Sequence, residues 1–273
     1  MDKLATDEPS ERKLSEEYFR TPSSARIWNY WMGGKDNYPI DREAGDAYAL
    51  TNPGIRVGAR ESRRFLIRVV HYLAAEARVR QFLDIGTGFP TVQNTHEVAQ
   101  AVAPESTIVY VDHDPVVLAH ARALLVPGGE AGMTSFIDAD VHDPSQILSE
   151  ARRVLHFTEP IGVLFFGVLG HVGDLDTARA IVAEVTDALP PGSYFAHYDG
   201  ISADPAYAPA LAEYPRFPAP YNLRTPGQLA EFYEGLELVD PGVVPVNQWR
   251  PRLAVQGGQI EPVSFYGGVG RKS

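Results

Sequence analysis

Between residues 80 and 200 short apolar runs alternate with helical stretches, and this alternation limits the fold more than any other feature of the chain. The runs predict strands at 81–85, 107–111, 134–139, 162–166 and 193–198. The intervening periodicity predicts helices at 92–101, 115–125, 145–155 and 175–189, the last with Ala178, Ile181, Val182, Val185 and Leu189 on one face. Strand, helix, strand repeats of this length imply right-handed crossovers and a parallel sheet. Val163-Leu164-Phe165-Phe166 is apolar throughout, as a strand covered on both faces must be. Two further strands at about 243–248 and 263–268, and a helix from Pro226 to Gly235, complete an expected single sheet.

Before the sheet, residues 1–20 read as a loosely docked arm and 41–50 and 57–77 as helices. The second of these places Phe65, Val69, Tyr72 and Leu73 on one face. Residues 201–221 carry Pro205, Pro209, Pro215, Pro218 and Pro220 and break the rhythm, as an excursion over the sheet edge or site mouth would. The expected division is an N-terminal arm and helical lid at 1–78, then a ligand-binding domain at 79–273 with this insertion.

Composition removes several functions. The formal net charge is −11, which repels phosphate backbones and argues against a nucleic-acid partner. The chain contains no cysteine, so disulfides, thiolate metal sites and a cysteine nucleophile are excluded, and a cytoplasmic location is the simplest expectation. The first twenty residues are too charged for a signal peptide. The longest apolar run, 161–170, is too short to span a bilayer. The oligomeric state is left open, a homodimer included.

The first strand runs into Phe82-Leu83-Asp84-Ile85-Gly86-Thr87-Gly88. Two glycines fall where the backbone must approach a ligand at the first strand–helix turn. The acid two positions before Gly86 suits the ammonium of an amino-acid cofactor and would sit poorly beside a pyrophosphate. Thr91 occupies the third position of a dinucleotide fingerprint that calls for glycine there, which disfavours a nicotinamide-dependent oxidoreductase. Asp112 ends the second strand, where a carboxylate accepts both ribose hydroxyls. Asp114 precedes Pro115 and reads as the cap of the next helix. Asp140 follows the third strand, placed to accept from an adenine amino group, with the Val141 N–H as donor to a ring nitrogen.

These segments resemble class I S-adenosylmethionine (SAM)-dependent methyltransferases. The resemblance is closer still to an actinobacterial family of S-adenosyl methyltransferases long catalogued as a domain of unknown function. It is carried by Arg26-Ile27-Trp28-Asn29-Tyr30-Trp31-Met32-Gly33-Gly34-Lys35-Asp36-Asn37-Tyr38, by Phe82 to Thr91 with Gln93-Asn94-Thr95-His96, and by Val109-Tyr110-Val111-Asp112-His113-Asp114-Pro115. Gly167-Val168-Leu169-Gly170-His171-Val172 and Phe265-Tyr266-Gly267-Gly268-Val269-Gly270-Arg271 extend it over nearly the whole chain. It implies a Rossmann-like, seven-stranded, mostly parallel sheet with an antiparallel last strand, helices on both faces, and SAM as cofactor. By that resemblance Asp84, Gly86 and Gly88 hold the methionine moiety, Asp112 the ribose, and Asp140 with Val141 the adenine. Thr87, His113 and Gly167 belong to the same expected cofactor site.

The aromatic, glycine-rich motif at 26–38 suits a lid, with Tyr30, Lys35 and Asn37 as contacts and Gly33-Gly34 as a tight turn, or a segment that docks Trp28 and Trp31 on the sheet. Methyl transfer from a sulfonium releases a neutral group, so orientation dominates and a base is needed only if the nucleophile carries a proton. His171, after the fourth strand, is the first candidate base; His197 and Tyr198 are weaker ones. Tyr198, Tyr207, Tyr214 and Tyr221 are candidates for an acceptor pocket, against the plainer reading of aromatic packing. Asp140, His142 and Asp143 lack a firm ligand pattern, so no metal is expected. The leading reading is a small-molecule methyltransferase. A SAM-binding protein with a non-methylating or regulatory role is the alternative.

Overall fold

Strand β1 (Gln81–Ile85) is buried at every position and lies at the centre of the sheet. It pairs in parallel with β2 (Thr107–Asp112) on one side and β4 (Ile161–Phe166) on the other. Beyond them β3 (Thr134–Asp138) and β5 (Tyr194–Gly200) extend the parallel set. The computed structural model describes residues 16–90, 93–124, 132–202, 220–251 and 261–273. Strands β6 (Glu237–Leu238) and β7 (Val244–Pro245) both pair antiparallel with β8 (Phe265–Arg271), which itself lies antiparallel to β5. The order is β3-β2-β1-β4-β5-β8-β6. The mostly parallel, Rossmann-like sheet with its antiparallel last strand is therefore as expected. The described residues hold eight strands instead of seven because the outer edge of β8 is shared by two short segments. The expected strand at 243–248 shortens to two residues: Pro245 has no N–H for a ladder, and Val246–Gln248 turns into a 3₁₀ helix.

Strand pleating sorts the core into two halves. Phe82, Ile108, Tyr110, Leu164 and Ala196 face one cluster with Ile27, Trp31, Phe65, Val69 and Leu73. These come from α2 (Ser24–Trp31) and α4 (Ile55–Ala75). Leu83, Ile85, Val109, Val163 and Phe165 face the other, with Ile147, Ile181, Val185 and Leu229 from α7 (Pro144–Ala151), α8 (Leu175–Asp187) and α9 (Pro226–Glu231). The remaining helices are α1 (Glu16–Arg20), α3 (Pro39–Thr51), α5 (Thr95–Val102) and α6 (Pro115–Leu124). Helix α5 begins later than its periodicity suggested, because Asn94 and Glu97 form a capping box that sets its first turn. No described helix is long and apolar enough to cross a membrane. Most of the proline-rich stretch, with Tyr207 and Tyr214, lies outside the described residues.

The N-terminal helices are held by one buried ion pair. Arg26 Nε lies 2.7 Å from Asp41 Oδ2, with the two side chains 1% and 0% exposed. Asp41 also accepts from the backbone N–H of Ser23 and of Tyr38, at 2.9 and 2.8 Å. Arg26 Nη2 donates to the carbonyls of Tyr18 and Thr21, so one guanidinium gathers α1, α2 and α3. Removing one partner of such a pair strands the other charge. Arg26→Ala is therefore expected to cost about 3–5 kcal/mol of stability, measured by urea unfolding, and Arg26→Met with Asp41→Leu to recover much of that loss. A cost near zero for Arg26→Ala would mean the pair does not hold these helices.

Candidate active site

The five parallel strands end together, so the loops after them line one cavity of about 540 Å³. Trp28, Trp31, Met32 and Tyr48 close it from the N-terminal side, and Arg63 and Leu66 reach it from α4. Asp84, Gly86, Thr87, Gly88, Asp112, His113, Asp140, Val141 and Gly167 all line it, as does His171.

The turn after β1 depends on its glycines. Gly86 has φ +75°, and a Cβ there would lie 2.6 Å from the Val168 side chain. Gly88, at φ +63°, donates its N–H to Asp112 Oδ2 at 2.8 Å. Both lie in the left-handed region that L side chains avoid. Thr87 Oγ1 donates to the Asp84 carbonyl at 3.1 Å and braces the turn.

Asp84 is 3% exposed. Burial raises its pKa to about 6, against the pull of the Thr95 hydrogen bond and the Arg63 guanidinium. Thr95 Oγ1 donates to Asp84 Oδ2 at 2.6 Å. Arg63 in turn donates to Asn94 Oδ1 at 3.0 Å, joining α4 to the cap of α5. Asp112 is also pushed up by burial, and its Oδ1 accepts from the Asp114 N–H at 2.9 Å. Asp114 caps α6 by accepting from the Val116 N–H at 2.8 Å, as its place before Pro115 suggested. It also accepts from the Tyr18 hydroxyl at 2.9 Å, which docks α1 beside this loop. At Asp140, partial burial is outweighed by the backbone and side-chain hydrogen bonds from His142, and its pKa falls below the ordinary value.

Beyond β1 the wall changes character. Tyr198 stacks on Phe166 at 5.3 Å between ring centroids, and burial pushes its phenol up. His171 ends a 3₁₀ turn after β4, with its ring edge-on to Tyr221 at 5.0 Å. Its Nδ1 lies 3.2 Å from the Pro220 carbonyl, and burial lowers its pKa. The Tyr221 hydroxyl donates to Asp199 Oδ1 at 2.5 Å. Asp199 Oδ2 lies 2.7 Å from His197 Nε2, and both of those side chains are buried. His197 does not line the cavity; it is linked to it through Asp199 and Tyr221.

An S-adenosyl methyltransferase family model matches residues 11–273. The chain belongs to that family. This methyltransferase is 43% identical to a DUF574 family protein from Streptomyces avermitilis, with 93% of this chain and 99% of that one covered and a TM-score of 0.87. A candidate methyltransferase from Thermobifida fusca is 38% identical over 93% and 96% of the two chains, with a TM-score of 0.86. A Planctomyces limnophilus O-methyltransferase family 2 protein, solved in complex with apigenin, shares the fold at 17% identity and a TM-score of 0.51, over 90% of this chain and 65% of its own. No curated protein matches the chain.

The methyltransferase uses its N-terminal motif differently from the sequence expectation. Tyr30, Gly33, Lys35 and Asn37 do not line the cavity. The Tyr30 hydroxyl donates to Asp46 at 2.8 Å near solvent. Asn37 Nδ2 donates to Asn29 Oδ1 and the Gly34 carbonyl, both at 3.0 Å, so it closes the turn itself. Gly33 supplies that turn's positive φ of +87°, and Lys35 is exposed. The motif thus contributes Trp28, Trp31 and Met32 to the cavity while its polar residues fold the segment. Sequence reasoning overlooked Arg63, hidden in Glu61-Ser62-Arg63-Arg64, and Asp199, which follows two candidate residues on β5. An arginine three positions before the buried Leu66, and so on the same helix face, was the available signal for Arg63. Among the described residues, no three His, Asp or Glu side chains gather as a cation site would need.

Lys35→Ala is expected to leave SAM affinity within about twofold of the parent, and Gly86→Ala to weaken it by about tenfold or more, roughly 1.4 kcal/mol, in calorimetry. A large loss from Lys35→Ala would return the polar motif to the site.

Proposed function

We propose that SAM lies across the ends of β1, β2 and β3, and that a small-molecule acceptor lies beyond β4 and β5. The observation that carries this reading is the row of acids at successive strand ends, Asp84, Asp112 and Asp140, with the Arg63 guanidinium acting on the first. An adenosyl amino acid has matching groups: an ammonium for Asp84, a carboxylate for Arg63, ribose hydroxyls for Asp112 and an adenine amino group for Asp140. When bound, it supplies an electrophilic methyl group on a sulfonium. The chain's part is to orient the acceptor, exclude water through Trp28 and Trp31, and accept a proton where the acceptor has one to lose. In this reading residues 1–78 form the cover and 79–273 the cofactor domain. The net charge of −11 favours a small molecule over a nucleic acid, and the cysteine-free chain supports a cytoplasmic setting.

The raised pKa of Asp84 gives this a pH signature. A carboxyl whose folded pKa exceeds its unfolded value prefers the neutral form in the fold. Its contribution to stability is complete below about pH 4 and is lost as pH rises through about 6. A bound ammonium reverses that preference by pairing with the anion. Cofactor affinity should therefore be level above pH 6 and fall about tenfold per pH unit below it. Asp84→Asn should flatten this profile and weaken binding, and Arg63→Met should weaken binding and move the fall in affinity to higher pH, because the guanidinium no longer opposes Asp84 protonation. Titration calorimetry from pH 5 to 8 checks both. A profile unchanged by Asp84→Asn would remove Asp84 from the ammonium site.

A further inference from the structure

We propose that the acceptor is a neutral aromatic alcohol, a phenol in the simplest case, whose O–H is received by His171 and Tyr221, with Asp199 as the positioning residue behind Tyr221. This rests on the methyltransferase reading and adds the acceptor's chemical class to it.

Strand order sets the location. The three acids stand at the ends of β1, β2 and β3, so the next strands outward on the other side, β4 and β5, bound the remaining space. Five charged residues line the cavity among those described: Arg63, Asp84, Asp112, Asp114 and Asp140. All five belong to the cofactor end. The other end is walled by rings, including Trp28, Phe166, Tyr198 and Phe265, and among the described residues it adds no further charged side chain to the lining. Such walls favour a flat, uncharged molecule.

Two polar groups at that end, His171 and Tyr221, are poised as acceptors. A carbonyl only accepts, so the 3.2 Å contact with Pro220 assigns the hydrogen to His171 Nδ1 and leaves the lone pair on Nε2. A carboxylate likewise only accepts, so the Tyr221 hydrogen is committed to Asp199 at 2.5 Å. The Tyr221 oxygen receives the Gly200 N–H at 3.3 Å and retains a further lone pair. Asp199 is fixed from behind by His197 at 2.7 Å, on the buried strand β5. Neither of these two side chains therefore has a hydrogen to offer, and an acceptor that bonds to them must bring its own donor.

A hydroxyl fits better than an amine. A neutral amine attacks through its free pair without first losing a proton, whereas a hydroxyl must shed one, and His171 has the lone pair to take it. The acceptor oxygen forms its bond to the methyl carbon as the sulfur–carbon bond breaks. Sulfur keeps that electron pair and loses its positive charge, and the hydroxyl proton passes to Nε2 of His171. Charge and atoms balance without another reactant.

The test begins with calorimetry of S-adenosylhomocysteine against the full-length protein; absence of binding there defeats the methyltransferase reading itself. With that ligand saturating, 2-naphthol should bind at least about tenfold more tightly than either 2-methoxynaphthalene or 2-naphthoate. Equal binding of the methyl ether, or preference for the anion, overturns the acceptor assignment while leaving the cofactor reading intact. Tyr221→Phe, which keeps the ring, should reduce the preference for 2-naphthol over its ether. Asp199→Asn should do the same with the melting temperature of the liganded protein held, because an amide can donate to the Tyr221 oxygen and turn its hydrogen outward. A purely structural Asp199 would lower stability without moving that preference, and this result would count against the proposal. With SAM present, mass spectrometry should detect 2-methoxynaphthalene, and His171→Gln should lower kcat by about 10²–10³ with little change in KM. An unchanged kcat would exclude His171 as the base.

Discussion

Strand β1 is buried on both faces, yet its fourth residue is a carboxylate. Within the sheet it lies beside Tyr110 and Leu164, both buried. Burying a charge without a full complement of partners is costly, and here the cost appears as a pKa drawn up to about 6. The surrounding elements are arranged around this carboxylate. Helix α5 starts with Thr95 donating to it, and the α4 guanidinium opposes its protonation while bonding the α5 cap. The acidic end of the cavity is a preorganised but incompletely compensated site, the state in which a complementary cation gains most from binding.

The N-terminal helices complete the cavity without forming a body of their own. Ile27, Trp31, Tyr48 and Phe65 belong to the same core as Phe82, Leu164 and Val269. Trp28 meets Phe265 edge-on at 5.6 Å, joining the first ring cluster to the last strand. The Arg26–Asp41 pair then fixes how α1, α2 and α3 enter this arrangement. Tyr18 adds a second attachment at Asp114, two residues beyond the acid that ends β2. The N-terminal helices and the last strand thus share one set of aromatic contacts.

The parallel sheet was legible because its signals are local. Apolar runs between helical periods mark the strands, and Gly86 and Gly88 occupy left-handed backbone that a sequence advertises by its glycines. Asp112 and Asp114 were separable for the same reason, since a cap before proline is a one-turn motif. The motif at 26–38 was misread in detail because its chemistry is turned inward. Asn37 and Tyr30 carry the polar groups expected of a ligand contact, but those groups satisfy Asn29, Gly34 and Asp46. Arg63 escaped notice because an arginine between Ser62 and Arg64 reads as a solvated helix face. Only the packing of α4 against α5 and the sheet brings it near Asp84.

The two ends of the cavity differ in how far along the chain their parts are drawn. The acidic end uses the turns that directly follow β1, β2 and β3, and such turns are dictated by the strands that precede them. The other end depends on pairings across long separations: His171 with Pro220, Tyr221 with Asp199, and Asn222 with the Gly170 carbonyl. These bonds fix which lone pairs remain, and therefore which acceptor chemistry the wall admits. A segment change near Tyr221 would redirect that choice without disturbing the acids at the strand ends. Shared cofactor use and divergent acceptors are then natural outcomes of one sheet, because the sheet itself dictates only the first.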